Sequence, residues 1–184
     1  FLNKYLRKHP TVNVSVEYRR ATQLYDDIIS GIADIGLVAY PQKDARLQVT
    51  SLDEDLLVLI CHPEHELAQK PEIELSEISK HKFIAFEPDI PTRRAIDKIL
   101  RDRSVEVEHS MEFDNIETVK RAVEINAGIS IVPRSPVIQE VAKRTISMVE
   151  IKDEKFYRPL AAVHKKNKVL SPAMKEFLSL LKKG

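Results

Sequence analysis

The residues best suited to chemistry stand directly before predicted helices, where a protein can bind an anion. The segment Pro88–Arg94 opens one helix, and its Thr92 and Arg93 could hold a carboxylate, sulfate or phosphate at the positive end of the helix dipole. The pair Asp114–Asn115 opens another helix and could contact a ligand too. A structural alternative stays open for both: Thr92 caps its helix beside solvated arginines, and Asp114–Asn115 serves only as a cap.

Three further residues are candidates because of their place at predicted strand ends. Tyr40 follows a buried strand, and open α/β sheets bind ligands outside the carboxyl ends of their strands. Packing within its loop is the alternative. Glu87 follows the strand Phe83–Phe86 and could form a polar wall of a pocket or simply face water. Ile90 lies in the segment before the helix. The candidate ligand-binding residues are therefore Tyr40, Glu87, Ile90, Thr92, Arg93, Asp114 and Asn115.

Metal and catalytic chemistry are poorly represented in the sequence. Cys61, His62 and His65 form a cluster, but Pro63 breaks their spacing and no second cluster completes a tetrahedral site. Cys61 ends a buried strand and is expected to be a core thiol. There is no Gly-x-Ser-x-Gly elbow, no phosphate loop and no dinucleotide fingerprint, and the chain has 4 glycines in all. We expect a protein that is not an enzyme and holds neither metal nor cofactor.

The segment Phe113–Pro133 contains the elements that position the second candidate pair. A strand end is followed by a helix that Asp114 or Asn115 can cap, with Glu117 three residues after Asp114. The helix has one apolar face and is predicted to stop at Gly128. The apolar run that closes the segment predicts a strand buried on both faces. This pattern indicates a βαβ half-unit with function in the loops at helix N-termini.

The remaining pattern alternates strands and helices, which predicts an α/β fold. Val12–Tyr18 alternates apolar and polar residues as a half-buried strand does, and a helix follows to Gly31. Other predicted strands are 33–39, 47–52, 56–61, 82–86, 105–113, 147–151 and 158–163. Further helices run from Pro91 or Thr92 to about Arg101, from Val137 to Lys143 and from a cap at Ser171. Passages between two lobes are expected near residues 61–64 and 155–159. The first lobe then contains residues 1–62 and 159–184, and the second contains residues 63–158.

Composition narrows the class of function. Lys and Arg number 29 against 28 Asp and Glu, a formal charge of +1, so no global field would draw this chain onto DNA. A single cysteine excludes an intramolecular disulfide, and no apolar run reaches the about 20 residues that span a bilayer. The first residues show no signal-peptide pattern. We expect a cytoplasmic protein without membrane contact.

Several motifs, taken in order, resemble the effector-binding domain of LysR-type transcriptional regulators over nearly the whole chain. No single motif decides the matter, but their order and spacing together are specific. The motifs are Phe1–Pro10, Gly31–Val38, Leu57–Pro63, His65–Ala68, Thr92–Arg93, Ala127–Pro133, Arg158–Leu160 and Ser171–Ala173.

The resemblance implies two Rossmann-like lobes of the type 2 periplasmic-binding-protein architecture, joined by two crossing strands, with a small effector in the cleft. It implies a homodimer or homotetramer in which Phe1–Lys8 of one subunit lies beside Ile116–Asn126 of another. It also implies a winged helix-turn-helix, which nothing in this sequence matches, so DNA would be bound only through an N-terminal domain outside this chain. The family's first strand and its Ser/Thr-bearing loop would likewise lie upstream of Phe1.

Departures from the family pattern bear on the effector. Arg19 and Arg20 stand where the family commonly has a glycine in a turn, and Asn126, which tolerates left-handed backbone, stands where glycine is frequent. Together with Arg93 and Arg94, these arginines favour a small anionic effector. Two alternatives share the fold. A periplasmic solute-binding protein of a transporter requires an export signal, and an enzyme requires a clustered acid/base set.

Overall fold

The computed structural model describes residues 2–182, which form two compact units. The first unit contains the chain up to Glu54 and from Pro159 onward, and the second contains Asp55–Arg158. The chain therefore passes between the units twice. The sequence predicts that the first unit ends at residue 62, whereas the division in the structure falls earlier, after Glu54.

Helices and strands alternate along the described residues. The helices are α1 (Leu2–Lys8), α2 (Ala21–Ser30), α3 (Pro91–Asp102), α4 (Ile116–Glu124), α5 (Ile138–Lys143) and α6 (Pro172–Leu181). The strands are β1 (Gly36–Ala39), β2 (Leu47–Cys61), β3 (Glu72–Ile73), β4 (Lys82–Phe86), β5 (Glu108–Phe113), β6 (Ser130–Pro133), β7 (Ser147–Ile151) and β8 (Tyr157–Lys165). Short 3-10 helices lie at Glu66–Gln69, Leu75–Lys80 and Ser135–Val137.

The core of the first unit lies between α2 and an antiparallel strand pair. β1 pairs with β8, with Gly36 opposite Val163, and Tyr25 and Ile28 of α2 belong to the same buried cluster as residues of these strands. α2 ends because Gly31 adopts a φ of 86°, a left-handed conformation open to glycine, from which its N–H donates to the carbonyl of Ile28. The predicted helix end at Gly31 is confirmed.

α1 packs against α6 through one aromatic residue. Tyr5 is buried, its hydroxyl donates to the carbonyl of Ala173 at 2.9 Å, and its ring meets the edge of Phe177 with the centroids 5.0 Å apart. His9 Nε2 lies 2.9 Å from a carboxylate oxygen of Glu176. The predicted first helix is thus an integral part of the first unit; Phe1, which the prediction included, lies outside the described residues.

The second unit is organised by β4. This strand pairs in parallel with β5, and Phe83 also forms a parallel bridge with Ile129, so β4 lies between β5 and the segment that leads into β6. β2 is antiparallel to β6 and to β7, and β3 is parallel to β7. The core includes the fully buried side chains of Leu57, Leu59, Ile60, Ile73, Ile78, Phe83, Ile84 and Ile96.

The turn after α4 depends on two residues. The helix ends at Glu124, before the predicted stop at Gly128, and Asn126 adopts a φ of 58°, the left-handed conformation that asparagine tolerates. Gly128 then passes so close to β4 that a Cβ at this position would lie 2.5 Å from the carbonyl oxygen of Lys82. A side chain of any size would have to displace β4.

Several predicted boundaries are confirmed. β4 and β7 cover the residues expected of them, and α3 begins at Pro91, the position at which a proline suits a helix because it has no N–H to satisfy. Ser171 caps α6 by accepting a hydrogen bond from the N–H of Met174 at 3.2 Å. These elements carry their signals in local sequence.

Two strand predictions for the first part of the chain are wrong. Residues 12–20 form no strand, and Val16 and Tyr18 are 75% and 74% exposed, because the alternating residues meet no neighbouring strand among those described. The separate strands predicted at 47–52 and 56–61 are one continuous strand, β2. Its polar middle, including Asp53 and Glu54, is exposed and therefore does not interrupt it.

β5 is shorter than predicted and is interrupted. It begins at Glu108, so Val105 and Val107 lie before it. Phe83 pairs with His109 while Ile84 pairs with Met111, which leaves Ser110 as the extra residue of a bulge. The bulge shifts the alternation of side chains within β5.

Candidate functional site

The carboxyl edge of the parallel strands in the second unit carries most of the candidate residues. From β4 the chain runs through α3 to β5 on one side, and from β5 it runs through α4 to Ile129 on the other side of β4. In such sheets the point where the chain changes direction opens a crevice outside the strand ends, where ligands bind. The starts of α3 and α4 both lie at this edge.

α3 begins without a side-chain cap. Its N-cap residue is Ile90, and no acidic residue occupies the first turn. The first hydrogen bond of the helix is donated by Arg94 to the carbonyl of Ile90 at 3.2 Å, so the earlier N–H groups have no partner within the helix. The alternative in which Thr92 caps α3 is wrong, because Thr92 is the second helical residue.

Thr92 itself is 5% exposed, and its hydroxyl has no hydrogen-bond partner among residues 2–182. This oxygen does not belong to the fully buried polar atoms that lack a partner, so it is accessible to solvent and could hydrogen-bond to a ligand oxygen. The positive end of the α3 dipole and the unpaired N–H groups of the first turn lie at the same place. This helix start can therefore donate several hydrogen bonds to an anion.

Arg93 is engaged within the protein. Its Nε donates to both carboxylate oxygens of Asp97 at 2.8 Å, and its Nη1 donates to the carbonyl of Phe86 and to Glu112, each at 2.7 Å. Its Nη2 lies 3.1 Å from Nδ1 of His109, which must accept because a guanidinium only donates. One N–H of Nη2 is left for other partners. Arg93 thus ties α3 to β4 and β5.

The surroundings of Arg93 also act on its charge. Burial disfavours the charged form, but the hydrogen bonds and charges of Glu112 and Asp97 outweigh burial and raise the pKa of Arg93. The side chain is 7% exposed. The alternative in which Arg93 is solvated is therefore wrong.

α4 begins with a complete cap. The side-chain oxygen of Asn115 accepts from the N–H of Thr118 at 3.0 Å and from the hydroxyl of the same residue at 3.1 Å. The amide of Asn115 donates to Asp114 at 2.6 Å. Glu117 pairs with Lys120 at 2.9 Å. Asn115 is thus the cap that the sequence left open between two residues.

Six of the seven candidates lie at this edge of the second unit. The N–H of Glu87 donates to the carbonyl of Phe113 at 2.9 Å and so holds the loop after β4 beside the loop after β5. Tyr40 belongs to the first unit, where it adopts a φ of 51° and its N–H donates to the carbonyl of Pro159 at 2.9 Å. The left-handed backbone of Tyr40 marks a constrained turn at the end of β1.

Two residues at the same edge were missed by the sequence reasoning. Arg134 follows β6, and its neighbour Ser135 is bound through its N–H to the buried carboxylate of Asp55 at 3.1 Å. The available signal was the polar pair after a buried strand, the criterion that had identified Glu87.

A cavity of about 440 Å³ lies elsewhere in the second unit. None of the seven candidates lines it; its lining residues are His62, Pro63, Glu64, Arg121, Glu124, Arg144 and Thr145. Glu124 accepts from Arg121 at 2.5 Å and from the hydroxyl of Thr145 at 2.7 Å. The lining charges thus largely neutralise one another, and we do not place the candidate site here.

The cysteine and histidine cluster has a structural arrangement. Cys61 is fully buried, as predicted for a core thiol, and burial raises its pKa to about 11. The rings of His65 and His81 meet edge to face with centroids 4.7 Å apart, and His65 Nδ1 accepts from the N–H of Leu67 at 3.2 Å. Within residues 2–182, no group of three or more His, Cys, Asp or Glu side chains could hold a metal ion.

Comparison with known proteins places this arrangement in a family. The family model of the LysR substrate binding domain matches residues 1–184. The chain belongs to this family. LysR substrate-binding domains have the type 2 periplasmic-binding-protein fold, so the α/β prediction with that architecture is confirmed. Among the described residues, no helix of this LysR domain is both long and apolar enough to cross a membrane.

Relatives and solved structures agree with the assignment. The LysR domain is 26% identical over 186 residues to the uncharacterised HTH-type transcriptional regulator YfiE of Escherichia coli K12, covering 100% of this chain and 62% of YfiE. The chain thus spans less than two thirds of that relative. It resembles the regulatory domain of CcmR from Synechocystis PCC6803 in complex with 2-PG, with a TM-score of 0.88, 24% identity and coverage of 99% and 88%. The effector-binding domain of QuiR in complex with shikimate gives a TM-score of 0.85, 20% identity and coverage of 99% and 87%.

Proposed function

We propose that this LysR domain senses a small anionic effector at the carboxyl edge of its second unit and thereby controls transcription by a longer regulator. The observation that carries the proposal is the start of α3, where an accessible hydroxyl without a partner among residues 2–182 and N–H groups without a partner in the helix meet the positive end of a helix dipole. The ligands of the related domains, 2-PG for CcmR and shikimate for QuiR, support a small molecule as effector.

The candidate residues take different roles in this proposal. Thr92 and the N–H groups at the start of α3 bind the anionic group. Arg93 positions this helix start, because nearly all of its donors are held by Asp97, Glu112 and the carbonyl of Phe86. Glu87, Ile90, Asp114 and Asn115 form the surrounding wall, and Tyr40 remains a separate candidate in the first unit.

Regulation requires that the effector favour one state of the protein over another. A ligand shifts such an equilibrium only by the difference between its affinities for the two states. We propose that this difference changes how paired domains place DNA-binding parts outside this chain. The pairing would form a homodimer or homotetramer through α1 and α4.

The related proteins are transcriptional regulators, which implies a regulatory role rather than an enzymatic one. The same relatives favour a cytoplasmic regulator over the alternative of a periplasmic solute-binding protein. We include binding of DNA by the full-length protein in the proposal.

The test is a hydroxyl exchange at position 92. Thr92→Val removes the hydroxyl but keeps the shape, and Thr92→Ser keeps the hydroxyl. We expect Thr92→Val to weaken the binding of inorganic phosphate, benzoate or shikimate by about tenfold, a typical effect of losing one hydrogen bond to a charged group, while Thr92→Ser retains affinity. Isothermal titration calorimetry measures both. Equal affinity of the two variants would remove Thr92 from the site.

A further inference from the structure

We infer that Arg134 recognises the charge of the effector, so that the ligand is an anion read by the end of β6 as well as by the start of α3. This inference rests on the proposed function and assigns its charge selectivity to a residue outside the seven candidates. Its chemical consequence is a ligand with a carboxylate or phosphate group that can accept two hydrogen bonds from a planar guanidinium.

The register of the strands places Arg134 at the same edge. Phe83 lies opposite Ile129, and the N–H of Ile129 donates to the carbonyl of Lys82 at 2.9 Å. If the two segments continue in parallel beyond this single bridge, Phe86 lies level with Val132. Arg134 therefore follows β6 where the loop toward α3 follows β4. Neighbouring strands are about 4.8 Å apart, a distance that an extended arginine side chain easily spans.

Two successive backbone N–H groups, those of Arg134 and Ser135, hold this turn in place. The N–H of Arg134 donates to the carbonyl of Leu56 at 2.8 Å, and the N–H of Ser135 donates to Asp55 at 3.1 Å. Asp55 is 6% exposed, and its other oxygen lies 3.6 Å from Nη2 of Arg158. A buried carboxylate is costly unless it is hydrogen-bonded or paired with a charge. The hydrogen bond between Asp55 and the N–H of Ser135 therefore stabilises the conformation of the turn.

The side chain on this fixed backbone is available for binding. Arg134 is exposed, and within the described part of the chain its guanidinium has no hydrogen bond and no ion pair. Arg101 is likewise exposed and without a hydrogen bond or ion pair among residues 2–182, whereas Arg93 is enclosed by carboxylates and Arg103 pairs with Glu154 at 2.5 Å. Arg134 is distinguished by its position at the end of β6. The backbone of the turn is fixed, and the guanidinium that it carries is free to pair with an anion.

The experiment compares Arg134→Ala and Arg134→Lys with the matched control Arg101→Ala. Arg101 lies in the last turn of α3, is exposed and likewise has no hydrogen bond or ion pair among residues 2–182. Arg101→Ala therefore removes one positive charge, as Arg134→Ala does, but at the opposite end of α3 from the proposed site. The probes are inorganic phosphate and benzoate, with benzamide as the neutral counterpart of benzoate. Affinities are measured by isothermal titration calorimetry, and folding by thermal melting without ligand.

We expect Arg134→Ala to lower the affinity for phosphate and for benzoate by at least about tenfold and to leave the affinity for benzamide unchanged. The melting temperature should equal that of the wild type, because the Arg134 side chain makes no contact within the described protein. Arg134→Lys should recover part of the affinity, and Arg101→Ala should bind like the wild type. If Thr92→Val weakens binding and Arg134→Ala does not, the inference is overturned while the proposed function stands. A wild type that binds neither anion overturns both.

Discussion

The helices α3 and α4 start at the same edge of one sheet, yet their first turns differ. α4 is capped by Asn115, whose side chain occupies the N–H and hydroxyl of Thr118. α3 begins at Pro91 after the N-cap residue Ile90, which offers no side-chain cap, so the first N–H groups of this helix have no partner within it. The capped start serves stability, and the uncapped start is the one that we propose binds the effector. A helix N-terminus is thus informative about function when its cap is absent.

The helices also share a feature, since each contains one buried cation that holds it in place. Arg93 of α3 is 7% exposed and reaches β4 and β5. Lys120 of α4 is 6% exposed and donates to the carbonyl of Pro136 and to Glu140. Rigid anchoring is therefore common to both helices, and only the cap distinguishes them. Four variants test this comparison.

The largest effect is expected from Arg93→Ala, which detaches the uncapped helix. The carbonyl of Phe86 and the carboxylates of Asp97 and Glu112 lose their donor, so the free energy of unfolding should fall by about 2–3 kcal/mol. Urea denaturation followed by circular dichroism measures it. The control Arg94→Ala changes an exposed neighbour and should stay within about 0.5 kcal/mol. Equal stabilities of the two variants would show that Arg93 is not an anchor.

The next effect is that of Lys120→Met on the capped helix. Glu140 and the carbonyl of Pro136 lose a donor at 2.9 Å and 3.2 Å, and we expect a loss of about 1–2 kcal/mol at pH 7. The matched control is Lys152→Met, which removes an exposed lysine from the same unit. A variant at position 120 as stable as this control would contradict the anchoring role.

The same variant should change the response to acid. The hydrogen bond from Lys120 lowers the pKa of Glu140 below its ordinary value of 4.5, so this carboxylate contributes stability that is fully present above pH 4.5 and is lost as the pH falls through the lower pKa of the folded state. In Lys120→Met that contribution is absent. Urea midpoints between pH 7 and pH 3 should therefore fall less steeply in the variant than in the wild type. Parallel curves would refute the coupling.

A smaller effect is expected from Asn115→Ala, which removes the cap of α4. Loss of an asparagine cap costs about 1 kcal/mol of unfolding free energy. Asn115→Asp keeps an oxygen acceptor and should keep the stability, while its added negative charge should weaken phosphate binding. Unchanged phosphate affinity in Asn115→Asp would place the start of α4 outside the anion site.

The smallest effect is expected from Ile90→Asn, which gives α3 the cap that α4 already has. The new side chain competes for the N–H groups of the first turn, so phosphate affinity should fall about two- to fivefold. Ile90→Val keeps an apolar residue and serves as the control. If the asparagine variant binds phosphate like the valine variant, these N–H groups are not the donors.

Sequence reasoning located the elements whose signals are local. The apolar run of β4 and the proline that opens α3 are each contained in a few residues, and both boundaries are confirmed. Val12–Tyr18 has the same alternation as a true strand, but a strand also needs a neighbour to pair with, and alternation in one segment contains no information about that neighbour.

The site shows the same limit. The partner of Arg93 four residues away, Asp97, can be read from helical spacing, whereas Glu112 and the carbonyl of Phe86 meet it only because β4 pairs with β5. The sequence therefore identified Arg93 as a candidate but could not show that its guanidinium is paired with Asp97 and Glu112 of the same chain. Arg134 could have been found, since it directly follows a buried apolar run.

Gly128 has a consequence for the genetics of this protein. Because a Cβ at residue 128 would lie 2.5 Å from the carbonyl of Lys82, every missense change of this codon should damage the fold even though glycine offers a ligand no side chain. A random screen for loss of regulation should therefore recover codon 128 together with true effector-site codons. Added effector should fail to rescue the alleles at codon 128, which separates them from alleles that only weaken binding.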